Sequence, residues 1–284
     1  MINNATRGRA LTLFVKTGSG NSARDFTMIM LDKNEIKEES FHNLPKIITH
    51  GVKGADISGI SFDKQFVSKS NVLSEEGKGL DVILKSLQVT RSLCAGLSIG
   101  AMDTCLRVTT KFALERALYG KTVFDLDHAK HQLVNAFCKL LALEASTITV
   151  MRLLHQFPEK MMLYSSVIKY IVPESANKMI DDLAVILGAR YYLRSGYQHG
   201  IFQKMMRDNE LVSLFDGSSI VNLRNIGLQL KLSKQRKKLS FDELKSIFKV
   251  SAKVNSFDPE KLCLRMMGGD VIVESFFESA YDEM

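Results

Sequence analysis

The chain has 284 residues, of which 45% are hydrophobic and 24% are charged, as is ordinary for a globular protein with a substantial core. No stretch reaches about 18 consecutive apolar residues, so we expect no membrane-spanning helix. The formal net charge is +7, and most of the excess lies in one run, residues 231–238, without interleaved aromatics. This pattern favours a solvated helix end or connector, and we expect no nucleic-acid partner.

The first 75 residues contain short runs of strand-forming residues separated by turn signals. The predicted strands are residues 10–16, 26–31, 57–62 and 65–67. Gly18, Gly20 and Asn21 separate the first two strands, as in a hairpin with a longer loop. The pattern therefore predicts a small antiparallel sheet.

From residue 79 onward, apolar residues recur at helical spacing. The predicted helices are residues 79–119, 126–156, 160–187 and 201–214, and a further helix begins at Ser218 or Ser219. Pro173 should kink or split the third helix, and Gly188 follows it as a plausible C-cap. Long helices with short connections predict a four-helix bundle over residues 76–227, so the fold class is α+β, mainly α.

After Gly227 the pattern changes again. Two further helical patterns, residues 240–250 and 258–278, predict a helical extension over residues 228–284. The four cysteines, Cys94, Cys105, Cys138 and Cys263, lie far apart within apolar helical patterns, and none belongs to a CxxC pair. We therefore expect reduced, buried thiols in a cytoplasmic protein.

Two stretches carry arginines at positions suited to binding. Residues 113–121 end the first long helix with Arg116, Tyr119 and a glycine. An arginine near a helix end can offer a planar fork of donors to phosphate, although it could equally form a surface salt bridge. The second stretch is residues 207–210, in which an arginine precedes an aspartate.

A third stretch, residues 214–219, joins two helices through a turn that contains an acid. Asp216 precedes Gly217, and the pair could be a catalytic carboxylate with its glycine or simply a common turn. Ser218 and Ser219 lie where the next helix starts. Hydroxyls at that position can help to receive an anion or a flavin edge, or can cap the helix.

The order and spacing of these stretches resemble the acyl-CoA dehydrogenase family. That family carries an R-x-x-F-G-K-like helix ending, a downstream R-D pair and a Y-E-G-T-like turn before its last helix. Arg91 fits an arginine early in the family's first bundle helix, and residues 51–73 resemble the end of its middle β domain. The resemblance covers residues 1–226. It implies a partial middle β domain over residues 1–75, followed by a flavin-binding bundle with FAD as the cofactor.

The resemblance also implies a reaction and a set of site residues. In this family a carboxylate removes the α-proton of an acyl thioester, and the β-hydrogen leaves as hydride to FAD. Asp216 occupies the position of the glutamate base of many members, whereas some members carry their base on the first bundle helix. By resemblance, the cofactor-binding residues are Arg116, Tyr119, Gly188, Ser218 and Ser219, and the substrate-binding residues are Arg91 and Gly217. We expect no metal site.

The chain departs from the family pattern in three ways. Only Gly188 remains of a Q-x-x-G-G-x-G-like stretch that touches the FAD of a neighbouring subunit. Gln88 stands where some members carry an aspartate near the CoA portion of the substrate, so the acyl carrier could be a protein. The family's N-terminal helical domain and the first half of its β domain have no counterpart here. We therefore expect a fragment, a split protein or a partner chain that completes the fold.

Two functions follow from these expectations. The first is FAD-dependent α,β-dehydrogenation of an acyl-CoA or acyl-carrier-protein thioester, with the N-terminal portion or a partner chain supplied. The alternative is a non-catalytic structural subunit or scaffold. In both cases we expect a homo-oligomer or hetero-oligomer, and for the enzyme an electron-transfer flavoprotein as the typical acceptor of the family.

Overall fold

A computed structural model describes residues 2–232 and 240–265, and its contacts divide the chain into two units between Ser86 and Leu87. Short antiparallel strands come first and long helices follow, which confirms the predicted α+β, mainly α fold class. The three predicted domains, residues 1–75, 76–227 and 228–284, stay predictions.

Five short strands form two antiparallel sheets in the first unit. They are β1 (Ile2–Asn3), β2 (Ala10–Lys16), β3 (Phe26–Asp32), β4 (Phe41–Leu44) and β5 (Ile57–Phe62). β2 pairs with β3, and β5 lies between β1 and β4. Leu11 and Leu31 face each other across β2 and β3, and both are buried. Such apolar cross-strand pairs stabilise a sheet that has one covered face.

One strand prediction for this unit is wrong, and the strands β1 and β4 were not predicted. Residues 65–67 follow Lys64, which has a φ of 51°, and they have no ladder partner in the described part of the chain. The Gln65 side chain instead accepts a hydrogen bond from the Ser40 hydroxyl. The sequence pattern also misses β4, because its residues, FHNL, do not alternate and its partner β5 is distant in sequence.

The longest element is α1 (Gly79–Glu115), a helix of 37 residues. It ends before the predicted residue 119, because Ala117–Leu118 (β6) pairs with Lys121–Thr122 (β7) in a hairpin. Tyr119 and Gly120 at the hairpin tip have φ values of 53° and 77°, as in a type I′ turn. The stretch that resembles a helix ending is therefore a helix followed by a hairpin.

Four more helices complete the bundle. They are α2 (Asp127–Gln156), α3 (Met161–Leu187), α4 (Ile201–Glu210) and α5 (Ser219–Leu232). Buried side chains of α1, α2 and α3, such as Met102, Leu140 and Leu183, share one apolar core. α3 also packs against α4 and α5, so it lies at the centre of the bundle.

Pro173 does not split α3, contrary to one of the two predicted outcomes. The helix continues from Met161 to Leu187 with the buried proline inside it. A proline inside a helix removes the hydrogen bond to the carbonyl four residues earlier, here that of Lys169. The packing of α3 on three neighbouring helices outweighs this local cost.

α2 is, within the described ranges, the one helix long and apolar enough to cross a membrane by length and composition. The search for uninterrupted apolar runs misses it, because polar residues are interspersed along the helix. One face of α2, which includes Leu133, Leu140 and Leu153, is packed into the bundle core. Core helices of globular bundles meet the same criterion, so length and composition are weak evidence for a span.

Hydrogen bonds from α2 to backbone carbonyls of the segment after the bundle hold that segment in place. It contains α6 (Phe241–Phe248), which begins at a capping box formed by Ser240 and confirms the helix predicted at residues 240–250. The Arg152 guanidinium donates hydrogen bonds to the carbonyls of Ser246, Ile247, Val250 and Ala252. Ile247 is fully buried, so the extension adds to the bundle core.

The second helix predicted in the extension is not found in its described part. Only the 3-10 turn Pro259–Lys261 is helical there, and residues 266–278 lie outside the described residues. The basic run also lies mostly outside them. All four cysteines are free, but only Cys94 and Cys105 are buried as predicted. Cys138 is exposed on α2, and Cys263 is half-buried in a non-helical segment.

We predict that Arg152→Met loosens the extension without unfolding the bundle. The change leaves several carbonyls without their charged donor, a loss of about 1–3 kcal/mol. Limited proteolysis should then cut residues 240–265 faster, while the bundle stays resistant. Arg107→Met is the matched control, since Arg107 forms only an exposed pair with Asp103 on α1. Equal cleavage rates in the two variants would contradict the anchoring role.

Candidate functional site

The chain reverses direction between α4 and α5 in a turn with an unusual backbone. α4 is followed by the 3-10 turn Leu211–Ser213, and α5 starts at Ser219. Between them Asp216 and Gly217 have φ values of 54° and 104°. Left-handed backbone at a residue other than glycine costs free energy, and it persists only where the surroundings hold it. We call residues 211–218 the Asp216 turn.

Arg91 of α1 holds the Asp216 turn from one side. Its Nε donates a 2.7 Å hydrogen bond to the carbonyl oxygen of Asp216. The guanidinium also fills the space beside Gly217, where a Cβ would lie 2.9 Å from Nη2. Arg91 is only 4% exposed, and burial lowers its pKa, while the nearby Asp216 carboxylate partly opposes that shift. Glycine is therefore required at position 217 both by φ and by the arginine.

Two further side chains hold the turn from the bundle interior. The Cys94 thiol, one turn after Arg91 on α1, donates to Oδ2 of Asp216 at 3.8 Å. Asn222 of α5 is fully buried, and its Nδ2 donates to the Gly217 carbonyl at 2.7 Å. Burial is the main cause that raises the pKa of Cys94 to about 11, so this thiol stays protonated at neutral pH.

Lys169 of α3 lies beneath the same turn, and the sequence analysis does not identify it. Its Nζ donates to the carbonyl of Val212 and lies 4.3 Å from the centre of the Phe215 ring. The side chain is 1% exposed, and burial lowers its pKa. The available signal was a single lysine between Ile168 and Tyr170 in an otherwise apolar part of α3.

Charge is concentrated around Asp216. Arg91 and Lys169 place two cations beside one carboxylate, and both cations are buried. Electrostatic interactions are stronger in such an environment than in water, so both cations attract the carboxylate. The arrangement gives a fixed carboxylate that can accept a proton.

The structure brings together only part of the predicted site. Arg91, Asp216 and Gly217 meet at the Asp216 turn, and Ser218 and Ser219 follow it directly. The Ser219 hydroxyl donates to the Glu174 carboxylate, so it already has a partner within the bundle.

Arg116 and Tyr119 lie at the other end of α1. Arg91 and Arg116 are 25 positions apart along α1 and its end, which is about 37 Å at the rise of an α-helix. Gly188 belongs to this second group, since Arg190 beside it lies 4.9 Å from the Phe112 ring near the end of α1. The two groups of predicted site residues therefore lie at opposite ends of α1, and the bundle does not bring Arg116 and the Asp216 turn together.

The Arg116 group has the exposure that a ligand contact needs. Tyr119 is 88% exposed at the hairpin tip. The Arg116 guanidinium is exposed and makes no ion pair within the described part of the chain. Gly188 caps α3 with a φ of 58°, and nothing would meet a Cβ there. This donor set suits an anionic nucleotide, because an unpaired arginine can bind phosphate oxygens in a bidentate way.

Two other features do not add to the Asp216 site. An open groove of about 480 Å³ lies between α1 and α2, with an apolar floor that includes Leu114 and Phe137. It is closer to the Arg116 end than to Asp216. Gln88 is buried, and its Nε2 donates to the Cys263 carbonyl at 2.9 Å, so the extension occupies this side chain.

The Arg207–Asp208 pair lies on α4, outside the Asp216 turn. The Arg207 Nε donates to Oε1 of Gln203 at 2.8 Å, and Asp208 pairs with Lys204 on the same helix. The next residue, Asn209, is 2% exposed and donates to Oδ1 of Asn177 on α3 at 2.6 Å. This end of α4 is thereby fixed to α3 just before the turn begins.

Residues 77–231, more than half of the chain, match the family model for the C-terminal domain of acyl-CoA dehydrogenases. The chain belongs to the acyl-CoA dehydrogenase family. The matched region contains both ends of α1 and the whole Asp216 turn. The resemblance read from the sequence motifs is thus confirmed for the bundle.

Known relatives and structures agree with this membership. Mitochondrial isovaleryl-CoA dehydrogenase from Oryza sativa subsp. japonica is 24% identical over 227 residues, which cover 80% of this chain and 54% of the relative. Butyryl-CoA dehydrogenase from Megasphaera elsdenii has a TM-score of 0.74 at 18% identity, covering 81% of this chain and 58% of that one. A prolyl acyl carrier protein oxidase has a TM-score of 0.70 at 19% identity, covering 80% and 58%. The chain therefore spans about half the length of these relatives, and the structural likeness concerns the fold.

We predict that Gly217→Ala destabilises the protein by roughly 1–3 kcal/mol, because alanine is strained at positive φ and its Cβ meets Arg91. Thermal or urea unfolding measures the change. Gly227→Ala in the middle of α5 is the control, since nothing would meet its Cβ. That substitution should instead stabilise by roughly 0.5–1 kcal/mol. A neutral Gly217→Ala would show that the turn is not held as described.

The buried thiol beside Asp216 predicts a pH dependence of stability. Cys94 has a pKa of about 11 in the fold, against 9.0 for an ordinary thiol. The unfolded chain therefore releases this proton first, so the contribution is complete below pH 9 and is lost as pH rises towards 11. Between neutral pH and pH 10, the parent should therefore lose roughly 1 kcal/mol more stability than Cys94→Ser does. In urea titrations from pH 7 to 10, parallel curves for the parent and Cys94→Ser would contradict this; Cys138→Ser, at an exposed cysteine, is the control.

Proposed function

We propose that this chain is the catalytic bundle portion of an FAD-dependent enzyme that dehydrogenates an acyl thioester between its α- and β-carbons. Membership of the acyl-CoA dehydrogenase family supports the class of reaction. The observation that carries the proposal is the Asp216 carboxylate, which lies on a strained turn between two buried cations. The parts of the relatives that this chain does not span would come from the same protein or from a partner chain.

Asp216 is the proposed base that takes the α-proton of the thioester. Arg91 fixes the backbone of Asp216, and Cys94 contacts one carboxylate oxygen, so the carboxylate is held on the turn before substrate arrives. A base already positioned lowers the entropic cost of proton transfer. FAD, when bound, supplies the acceptor for the hydride that leaves the β-carbon. Gly217 keeps the substrate side of the turn free of a side chain, and Arg91 supports it.

Two groups of residues suit different parts of the cofactor. Arg116, Tyr119 and Gly188 fit the phosphates and the nucleotide portion, because they offer an unpaired guanidinium, an exposed ring and an open glycine. Ser218 and Ser219 lie next to the base and suit the flavin ring. Since α1 separates the two groups, we propose that they serve different FAD molecules in an oligomer. Each cofactor would then contact two copies or a copy and a partner chain.

The acyl carrier is a CoA or a carrier protein in this proposal, and the electron acceptor is an electron-transfer flavoprotein. The names of the relatives support both carriers, since one is an acyl-CoA dehydrogenase and another is an acyl carrier protein oxidase. Gln88 favours a carrier other than CoA, because its side chain is already hydrogen-bonded to the extension.

The alternative is a structural subunit that completes an active partner. An exposed apolar stripe on α2 favours it, because such a surface suits packing against another chain. The stripe consists of Val134, Phe137, Leu141 and Ile148, which are 38–52% exposed. In that case the chain, alone or with its partner, would bind no flavin through its own residues.

We predict that Asp216→Asn retains FAD but slows reduction of the bound flavin by an acyl-CoA at least a hundredfold, which is the usual loss when a general base is removed. Stopped-flow bleaching of flavin absorbance measures this in the chain combined with its completing portion. Asp216→Glu should keep or raise the rate, because the longer side chain restores the family's base. Asp103→Asn, on the exposed surface pair of α1, is the control.

Normal flavin reduction in Asp216→Asn would exclude the proposed base. A preparation that stays colourless with FAD in every pairing would favour the structural subunit. Reduction by a carrier-protein thioester but not by the CoA thioester of the same acid would decide the carrier.

A further inference from the structure

Lys169 is an unusual residue for the centre of a helix bundle. Its side chain is 1% exposed, yet in the part of the chain that the structure describes its ammonium forms no ion pair. A buried lysine without a direct carboxylate partner is costly, so it is retained only where its charge or its hydrogen bond has a use. The use must lie where the ammonium points, which is the Asp216 turn.

The ammonium contacts the turn at two points, both of which precede Asp216. It donates to the carbonyl of Val212 at the start of the turn, and it lies over the ring of Phe215, directly before Asp216. A cation over an aromatic face is attracted by the ring's negative face, most strongly when water is excluded. Arg91 meanwhile binds the Asp216 carbonyl from α1. The left-handed backbone of Asp216 is thus held between a lysine and an arginine that come from different helices.

The titratable and charged groups around Lys169 come from two elements. α1 contributes Arg91 and Cys94, and the turn itself contributes Asp216. The Cys94 thiol is protonated at neutral pH, so the fixed charges are two cations and the carboxylate. Removing Lys169 therefore removes half of the positive charge beside Asp216.

We propose that Lys169 is a positioning residue, which holds the Asp216 turn through Val212 and Phe215. It touches neither substrate nor cofactor. The inference rests on the proposed function only in that Asp216 is taken as the base. The part that concerns the conformation of the turn, which we call the mechanical part, does not depend on that function.

The mechanical part can be tested on the chain without any cofactor. Lys169→Met keeps the length of the side chain but removes the charge and the donor. Amide hydrogen exchange, read by mass spectrometry, should become at least tenfold faster for residues 212–218, and alkylation of Cys94 should accelerate with it. Global unfolding in urea should be unchanged or shifted to higher urea, because a buried charge has been removed. Lys178→Met, at an exposed lysine of the same helix, is the matched control.

The catalytic part is read in the complete flavoprotein. Lys169→Met should slow flavin reduction by a saturating acyl thioester at least tenfold, with the half-saturating substrate concentration unchanged. Lys169→Arg should recover part of the rate, since it keeps a donor and a charge.

Unchanged exchange in residues 212–218 of Lys169→Met would overturn the proposal. So would exchange that rises equally throughout the bundle, in both Lys169→Met and Lys169→Arg, since Lys169 would then be a general structural residue. If the parent reduces no flavin, the proposed function fails, while the exchange and alkylation results still decide whether Lys169 holds the turn. If Asp216→Asn abolishes reduction but Lys169→Met leaves the rate unchanged, only the role of Lys169 is lost.

Discussion

One hydrogen bond joins the first long helix of this bundle to the turn before α5, the bond from Arg91 Nε to the carbonyl of Asp216. It joins α1 to the connection between α4 and α5, which are more than a hundred residues apart in sequence. The bond goes to the backbone rather than to the carboxylate. Arg91 can therefore hold the turn in a left-handed conformation without occupying the carboxylate oxygens, one of which Cys94 contacts. Gly217, the buried Asn222 and Cys94 all fit around this one contact.

Because Arg91 ties the Asp216 turn to its own position on α1, the length of α1 sets the distance between the two halves of the candidate site. The proposed base lies near the start of the helix, and Arg116, the proposed phosphate contact, lies at its end. A single long helix is a rigid spacer, since each residue adds a fixed rise. In the proposed function, this spacing explains why the two groups of one bundle contact different FAD molecules in an oligomer.

The sequence predicts those parts of the fold that depend on local pattern. α2, α3 and the strands β2, β3 and β5 follow from apolar periodicity, and their bounds lie close to the predicted ones. The hairpin after Glu115 was not predicted, because its two positive-φ residues, Tyr119 and Gly120, read equally well as a helix end. β4 and the anchoring of the extension by Arg152 depend on partners far away in sequence, which periodicity cannot show.

The same division applies to the candidate site. Asp216, Gly217 and Arg91 were identified by their order in a family-like pattern, and the structure brings them together. Lys169 and Asn222 were not identified, because the role of each side chain depends on a hydrogen bond to a backbone carbonyl, which the sequence does not show. The separation of Arg116 from Asp216 was not predicted, since it depends on where the turn packs along α1.

The most direct test of the Arg91–Asp216 geometry is disulfide trapping with the native Cys94. Asp216→Cys is made with Cys105, Cys138 and Cys263 changed to serine, and a mild oxidant is added. Since the Cys94 sulfur lies 3.8 Å from the Asp216 carboxylate, we predict an intramolecular disulfide, detected by mass spectrometry of the digested chain. Arg116→Cys in the same background should give none. A disulfide from Arg116→Cys, or none from Asp216→Cys, would contradict the placement of the turn at the start of α1.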